Sequence, residues 1–274
     1  MSANLLAQRF VQLQEVSIPT VQPFLPEEAK LVDTPFRVSA WEKALQGHPN
    51  KKWLEHLLNG LRFGVRVGFN YAKPFRSVGI NCRSAMEKQE VVDAYLKKEL
   101  KMKHVAGPWR NKAFIGCMTT RFGVIPKSTP GKWRLIVDLS YPEGYSVNDG
   151  IPKECSSMVY SSVGDATKML LQLGKGARMA KIDVANAFRN VPVHPLDRHL
   201  LGMVWNDEVY FDKRVPFGLR SAPILFDAYA DALEWILRHK GCNYILHYLD
   251  DFLIIGKPDS DACAKNLDAD LSPN

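Results

Sequence analysis

The chain has 274 residues, 46% of them hydrophobic, and its 36 Lys and Arg against 29 Asp and Glu give a net charge of +7. This composition is typical of one or two globular domains with a core of normal size, and it excludes a disordered chain, a miniprotein and a fibrous protein. No apolar run reaches the roughly 18 residues of a membrane helix, and the first twenty residues lack the apolar stretch of a signal peptide. We therefore expect an intracellular protein that does not contact a membrane, with nucleus and cytoplasm equally open.

The N-terminal third is predicted to be helical after an extended beginning. Residues 1–35 contain four prolines and little periodicity, which predicts a loosely ordered lead-in without function. Apolar residues recur at intervals of three and four in residues 53–61 and again in 91–96, so both stretches are predicted amphipathic helices. We expect the helical segment 36–89 to join the domain that follows it.

Positive charge is concentrated in the middle of the chain. The basic tract, defined as residues 97–134, holds ten Lys and Arg and one acid, whereas the part from Gly241 onward holds six Asp and two Lys. A basic tract beside Trp109 and Trp133 indicates contact with a polyphosphate or a nucleic acid. The alternative is a solvated helix face, which residues 97–103 taken alone favour.

The second half of the chain alternates predicted strands with one long helix. The strands are the apolar and β-branched runs 122–125, 133–139, 179–184, 201–205 and 209–215. Residues 206–208 predict a hairpin between the last two strands. Ser221 is the predicted start of a helix that ends near Gly241.

The chain also holds five cysteines. They are dispersed and no pair has C-x-x-C spacing, which indicates reduced thiols packed as small apolar side chains. We assign them no chemistry.

Two adjacent carboxylates are predicted at the tip of an apolar hairpin. The runs 244–248 and 252–255 are separated by Leu249, Asp250 and Asp251, and a third acid, Asp183, ends another apolar run. Apolar flanks make uncompensated carboxylates costly, so a cation is expected beside them. Three carboxylates at strand ends are suited to two Mg²⁺ ions, which activate an attacking hydroxyl and stabilise a leaving pyrophosphate. The alternative is a pair of solvated turn residues.

Four ordered motifs resemble those of reverse transcriptases. Tyr248-Leu249-Asp250-Asp251 resembles the Y-x-D-D box, residues 181–188 resemble the first palm motif, and residues 215–223 resemble the P-F-G-L-x-S-A-P motif of retrotransposon enzymes. Residues 131–140 followed by 146–151 are similar to the fingers motif. The resemblance covers about residues 90 to 265. Residues 121–140 with Gly144 and 146–150 are most similar to DIRS-like tyrosine-recombinase retrotransposons, with gypsy-like elements as the second choice.

The resemblance implies an RNA-directed DNA polymerase domain of a retroelement with an α+β fold. We expect the fingers of a right-hand polymerase in residues 90–180. The palm is expected in residues 181–274, with an antiparallel sheet backed by helices that include 221–239. The implied partners are dNTPs and an RNA or DNA template with its primer.

The resemblance also implies the metal ligands. Asp183 and Asp250 would bind two Mg²⁺ ions, with Mn²⁺ as a substitute, and Asp251 would be the third acid of the site. Val184 would offer its backbone carbonyl to a metal. The primer 3′-hydroxyl would then attack the α-phosphate of a dNTP.

Further residues are implied in substrate binding. Lys127 and Arg134 fall where the cations of the fingers grip the triphosphate, the alternative being an exposed basic loop. Phe188 falls at the position that blocks a ribose 2′-hydroxyl, and Phe217 would line the nucleotide pocket with its backbone. Core packing is the alternative for Phe188 and Tyr248. The residues expected near the primer end are Tyr248 and Leu249.

The sequence ends 23 residues after Asp251. A helix is predicted to begin at Asp259, and we expect a truncated fragment whose thumb and RNase H regions belong to the full-length element. A catalytically inactive remnant that binds nucleic acid through the basic tract is the alternative function. An RNA-templated RNA polymerase is disfavoured by Phe188.

Overall fold

The computed structural model of the protein describes residues 3–16, 27–30, 32–78, 80–110 and 117–257. The helix predicted from Asp259 and the middle of the predicted lead-in, residues 17–26, lie outside the described residues. Within the described ranges, no helix is both long and apolar enough to cross a bilayer.

Six helices precede the first strand among the described residues, and strands and helices are interspersed after it. The helices are α1 (Ala3–Gln14), α2 (Glu27–Lys30), α3 (Val38–Ala44), α4 (Lys51–Phe63), α5 (Arg83–Glu87), α6 (Gln89–Lys101), α7 (Val163–Leu173), α8 (Ala187–Asn190), α9 (Pro195–Arg198) and α10 (Ala222–His239). The strands are β1 (Val105–Trp109), β2 (Thr119–Pro126), β3 (Trp133–Asp138), β4 (Arg178–Asp183), β5 (Gly202–Trp205), β6 (Glu208–Asp212), β7 (Ile245–Tyr248) and β8 (Asp251–Gly256). Short 3-10 turns lie at Asn148–Gly150 and Lys153–Ser156.

The elements with strong local patterns are confirmed. The two amphipathic stretches are α4 and α6, and the helix after Ser221 is α10. The predicted hairpin between β5 and β6 turns at Asn206 and Asp207, both with positive φ, as a tight two-residue loop requires. The strand predicted over residues 209–215 ends at Asp212, because the N–H groups of Lys213 and Val215 donate to His104 and Val191 instead.

The prediction of a loosely ordered lead-in is wrong for residues 3–14. These residues form α1, which packs against α4 and α10. The side chains of Phe10 and Leu13 are 1% and 3% exposed and belong to the largest hydrophobic cluster. Helix α1 is therefore a part of the core.

The larger sheet has five strands in the order β1-β6-β5-β2-β3. Its neighbours are antiparallel except for β2 and β5, which are parallel. The β5–β6 hairpin lies in the predicted palm range, yet it pairs with β1 and β2 of the predicted fingers range. The boundary predicted at residue 180 thus does not separate the two sheets, and the division into domains remains a prediction.

The smaller sheet has three antiparallel strands in the order β4-β8-β7. Helix α10 packs against β7, and its buried face, including Leu225, Tyr229 and Ile236, joins the same core as Ile245 and Ile254. An antiparallel sheet backed by this helix is confirmed. The thiols of Cys117 and Cys155 are buried, and burial raises the pKa of each to about 11.

Candidate active site

The three predicted acids meet at one edge of the smaller sheet. Asp183, the last residue of β4, is the register partner of Asp251, the first residue of β8. Asp250 occupies the turn between β7 and β8, and its carbonyl oxygen accepts a hydrogen bond from the Val184 N–H at 2.9 Å. Strand pairing therefore brings together acids that are far apart in the sequence.

The turn that carries Asp250 is tight and strained. Tyr248 pairs with Asp251, so Leu249 and Asp250 form a two-residue loop. Leu249 has φ +53, a left-handed conformation that costs a non-glycine residue roughly 1–2 kcal/mol. Strain of this kind persists where the surrounding structure holds the backbone, and it clusters at functional sites.

A lysine is the cationic partner of these acids. Lys181 Nζ lies 2.9 Å from Asp251 Oδ2, and the hydrogen bond and charge of Asp251 raise the pKa of Lys181. Asp183 and Asp250 raise it further through their charges. The Lys181 ammonium group thus compensates part of the negative charge of the three aspartates.

The donor set fits a hard divalent cation. It offers carboxylate oxygens and the Val184 carbonyl, which accepts one N–H, from Ala187 at 3.2 Å, and has a second lone pair. Among the described residues, however, Asp183, Asp250 and Asp251 do not bring one carboxylate oxygen each to within 4.8 Å of the other two. The three carboxylates are therefore more widely spaced than the ligands of one bound ion. Like charges repel one another, so closing the group requires a cation between them.

Phe188 and Phe217 are in contact. Their ring centroids are 5.3 Å apart with an edge-on angle of 79°, and Phe188 also contacts Phe226 at 5.6 Å. Phe226 is buried, whereas Phe217 is 61% exposed. Phe188 therefore lies between the core and an exposed aromatic ring, five residues after Asp183.

Lys127 and Arg134 lie together in the β2–β3 hairpin. Arg134 pairs with Ile125, and Lys127 follows the end of β2 and donates its N–H to the Lys132 carbonyl at 2.9 Å. Both side chains are exposed, and within the described part of the chain neither has a side-chain hydrogen bond or ion pair. The hairpin belongs to the larger sheet, and no ion pair among the described residues joins these cations to the aspartates of the smaller sheet.

Asn148 links the loop that carries Phe217 to the segment that follows β3, a role that the sequence motif did not reveal. Its Nδ2 atom donates to Ser140 Oγ and to the Gly218 carbonyl, each at 2.9 Å, and its Oδ1 accepts the Arg220 N–H at 2.7 Å. Asn148 is 5% exposed. It thereby fixes the loop of Phe217 to the segment that follows β3.

Tyr248 is half exposed and its ring contacts that of a residue that the motifs do not include. Its ring centroid is 4.5 Å from that of Tyr160, and 52% of Tyr248 is exposed. Core packing therefore does not account for Tyr248.

Comparison with known proteins identifies the family. Residues 125–270 match the family described as reverse transcriptase (RNA-dependent DNA polymerase), which is more than half of the chain. The chain belongs to this family. Members of the reverse transcriptase family generally use divalent metal ions.

Retroviral polyproteins are among its relatives. The chain is 24% identical to the Gag-Pro-Pol polyprotein of Simian retrovirus SRV-2 over 182 residues, covering 62% of the chain and 9% of the polyprotein. It is 26% identical to the Intracisternal A-particle Pol-related polyprotein of Mouse intracisternal a-particle MIA14, covering 62% of the chain and 19% of that protein. The chain thus spans less than a fifth of the length of these relatives.

Solved reverse transcriptase structures share the fold. The Prototype Foamy Virus protease-reverse transcriptase CSH mutant has a TM-score of 0.55 at 17% identity, over 94% of this chain and 32% of that one. The foamy viral protease-reverse transcriptase in complex with dsDNA has a TM-score of 0.50 at 24% identity, over 71% of this chain and 35% of that one. The predicted α+β fold of a fingers and palm region is confirmed.

Proposed function

We propose that this reverse transcriptase domain is an active RNA-directed DNA polymerase that adds a nucleotide from a dNTP to a primer 3′-hydroxyl. The observation that carries the proposal is the pairing of Asp183 with Asp251 beside Asp250 at one edge of a sheet. Two Mg²⁺ ions bound there would activate the primer hydroxyl and stabilise the leaving pyrophosphate, and Mn²⁺ would substitute for Mg²⁺.

The chain's own residues divide the remaining work. Asp183, Asp250 and the Val184 carbonyl would hold the metal ions, with Asp251 as the third acid. Lys127 and Arg134 bind the triphosphate, and their exposed, unpaired side chains support this role. Because the hairpin that carries them lies in the other sheet, triphosphate binding would bridge the two sheets.

The aromatic pair selects the sugar. Phe188 presents its ring to the 2′ position of the bound nucleotide and excludes a ribose hydroxyl, while the Phe217 backbone lines the pocket. The contact between the two rings supports a shared pocket. The buried Phe226 behind Phe188 makes the ring unable to retreat, as a steric gate requires.

Template and primer are the proposed macromolecular partners. Tyr248 and Leu249 lie at the tip of the β7–β8 hairpin, here called the acidic hairpin, where the primer end would approach Asp250. The basic tract supplies exposed cations for backbone phosphates, among them Lys97, Lys98 and Lys101 on α6. A foamy viral relative of the same fold was solved in complex with dsDNA, which supports a duplex ligand.

We further propose that the element of origin is DIRS-like rather than gypsy-like. Support comes from the sequence of residues 121–140, Gly144 and 146–150, which is most similar to that of DIRS-like elements. The test is the genomic sequence on either side of the coding region. A tyrosine recombinase frame supports a DIRS-like origin, and an integrase frame contradicts it.

Primer extension on a primed RNA template with dNTPs and Mg²⁺ tests the activity. We expect Asp250→Asn to lower the rate about 100-fold or more, because it removes a charge that stabilises the reacting groups. Asp207→Asn is the matched control, since it makes the same chemical change in the exposed β5–β6 turn. Equal extension by wild type and Asp250→Asn would contradict the site assignment.

Absence of extension would favour the second candidate. If the wild-type chain does not extend the primer, yet binds it with an affinity that falls with salt and is equal in Asp250→Asn, the chain is an inactive nucleic-acid-binding remnant. In an active chain, Phe188→Ala should raise ribonucleotide incorporation. Unchanged discrimination between dNTP and NTP would contradict the steric role of Phe188.

A further inference from the structure

A second group of ionisable side chains lies where β7 packs on α10. Asp227, Asp231 and Glu234 follow one another at intervals of four and three along α10, so they share one face of the helix. His247 of β7 points its ring into this face. The side chains of Asp227 and His247 are 8% and 10% exposed, so the group is largely buried.

The distances around His247 Nε2 match a metal coordination shell. This atom lies 3.3 Å from Asp227 Oδ1 and 3.7 Å from Asp231 Oδ1, and the three ligand atoms all lie within 4.8 Å of one another. The first distance is long for an N–H···O bond and the second is beyond one. Ligands about 2.0–2.2 Å from a tetrahedral Zn²⁺ are roughly 3.3–3.6 Å apart, which is close to both values.

The other nitrogen of the ring is held as in metal sites. His247 Nδ1 lies 2.7 Å from Glu234 Oε2, and Glu234 Oε1 accepts a hydrogen bond from Arg238 Nε at 2.9 Å. A histidine that binds a metal commonly donates its second ring N–H to a carboxylate, which fixes the tautomer and the ring orientation. Glu234 therefore directs Nε2 toward the two aspartates.

A cavity gives solvent access to the side of the group formed by Asp231 and Glu234. It has a volume of about 290 Å³, and its lining includes Asp231, Glu234, Arg238 and Trp53. Trp53 is 3% exposed, and its buried indole N–H has no hydrogen-bond partner among the described residues. A polar donor left unpaired in the wall of a cavity indicates a bound acceptor such as water.

We propose that Asp227, Asp231 and His247 bind one Zn²⁺ ion, with a water molecule from the cavity as the fourth ligand. One imidazole nitrogen and two carboxylates suit a borderline metal, whereas Mg²⁺ prefers oxygen ligands alone. The ion fastens β7 to α10 three residues before Asp250. This site is separate from the acids at the sheet edge and does not depend on the proposed polymerase activity.

The competing occupant is a proton. Burial lowers the pKa of His247, but hydrogen bonds to Asp227 and Glu234 and the charge of Asp231 outweigh burial and raise that pKa to about 10. A protonated His247 would then bridge the carboxylates without a metal. Zn²⁺ must displace this proton from Nε2, so metal binding and proton release go together.

Calorimetric titration of the chelator-treated full chain with Zn²⁺, in excess Mg²⁺, tests the site. We expect one Zn²⁺ per chain, with proton release measured in buffers of different ionisation enthalpy. Asp231→Asn should weaken binding about 100-fold, and Glu234→Gln about 10- to 100-fold, as for outer partners of metal ligands. Asp207→Asn and Asp250→Asn should keep the wild-type affinity.

Co²⁺ absorption provides a second measurement that does not need a variant. A tetrahedral site of this kind gives intense visible bands that Zn²⁺ abolishes. The proposal is overturned if the wild-type chain binds Zn²⁺ no more tightly than Asp231→Asn, if binding is lost in Asp250→Asn instead, or if Co²⁺ gives only the weak bands of an octahedral ion. Circular dichroism of each variant establishes that it is folded. Asp231 is chosen for substitution because its side chain is 34% exposed, so that an isosteric change there should be tolerated.

Discussion

Asn148→Ala should destabilise the protein by about 3 kcal/mol. The Asn148 side chain makes three hydrogen bonds, to Ser140 Oγ, the Gly218 carbonyl and the Arg220 N–H, and the residue is 5% exposed. Each such bond contributes about 1 kcal/mol net, and water does not readily replace the amide in a buried position. The loss of all three therefore gives the expected magnitude.

Urea unfolding followed by tryptophan fluorescence measures this cost. The matched control is Asn243→Ala, since Asn243 is exposed and substitution at an exposed site changes stability by roughly 0.5 kcal/mol or less. In an active chain, Asn148→Ala should also raise KM for dNTP, because Gly218 adjoins Phe217. If Asn148→Ala lowers the free energy of unfolding by less than about 1 kcal/mol, the Asn148 side chain does not hold the Phe217 loop to the segment that follows β3.

Two more predictions concern the core. Phe10→Ala should lower the free energy of unfolding in urea by about 3–5 kcal/mol. The control, Gln12→Ala on the exposed face of α1, should lower it by roughly 0.5 kcal/mol or less. Equal effects of the two substitutions would mean that α1 is not part of the core. Burial lowers the pKa of His199 to about 4, against about 6.5 when unfolded, so the folded state binds fewer protons between these values. Stability should therefore fall by up to about 3 kcal/mol as pH drops from 6.5 to 4, and His199→Gln should remove that part of the loss. The same pH dependence in wild type and His199→Gln would contradict the assignment.

Elements with a complete local pattern were predicted from the sequence. In α4, Trp53, Leu57 and Leu61 recur at helical spacing, and the Asn50 side chain caps the first turn by accepting the Trp53 N–H. The acidic hairpin was predicted because two apolar runs flank a short turn. In both cases, the residues that decide the structure are neighbours in the sequence.

Helix α1 shows where a local signal was present but outweighed. Leu6, Phe10 and Leu13 recur at intervals of four and three, which is a helical pattern. The prolines that follow from residue 19 onward led to the prediction of an extended segment. A helix this short is stabilised mainly by packing on its neighbours, and the sequence does not name those neighbours.

The site likewise divides into what the chain encodes locally and what pairing assembles. Asp183, Asp250 and Asp251 were predicted from the motifs, because each carboxylate residue that could bind a hard cation is identified by its own sequence neighbours. Their adjacency is decided by the register between β4 and β8, over a separation of 68 residues between Asp183 and Asp251. The sequence also did not show that Lys181 pairs with Asp251 or that Asn148 contacts Gly218.

The sequence by itself thus determined the family, the acidic hairpin and the main helices and strands, because short-range periodicity and turn chemistry are local properties. Only the tertiary structure decided that β5 and β6 join the sheet of β1, β2 and β3, and that His247 lies among the carboxylates of α10. The physical reason is that strand order, register and buried polar contacts depend on which distant surfaces exclude water together. Short-range sequence patterns do not specify which distant surfaces pack together.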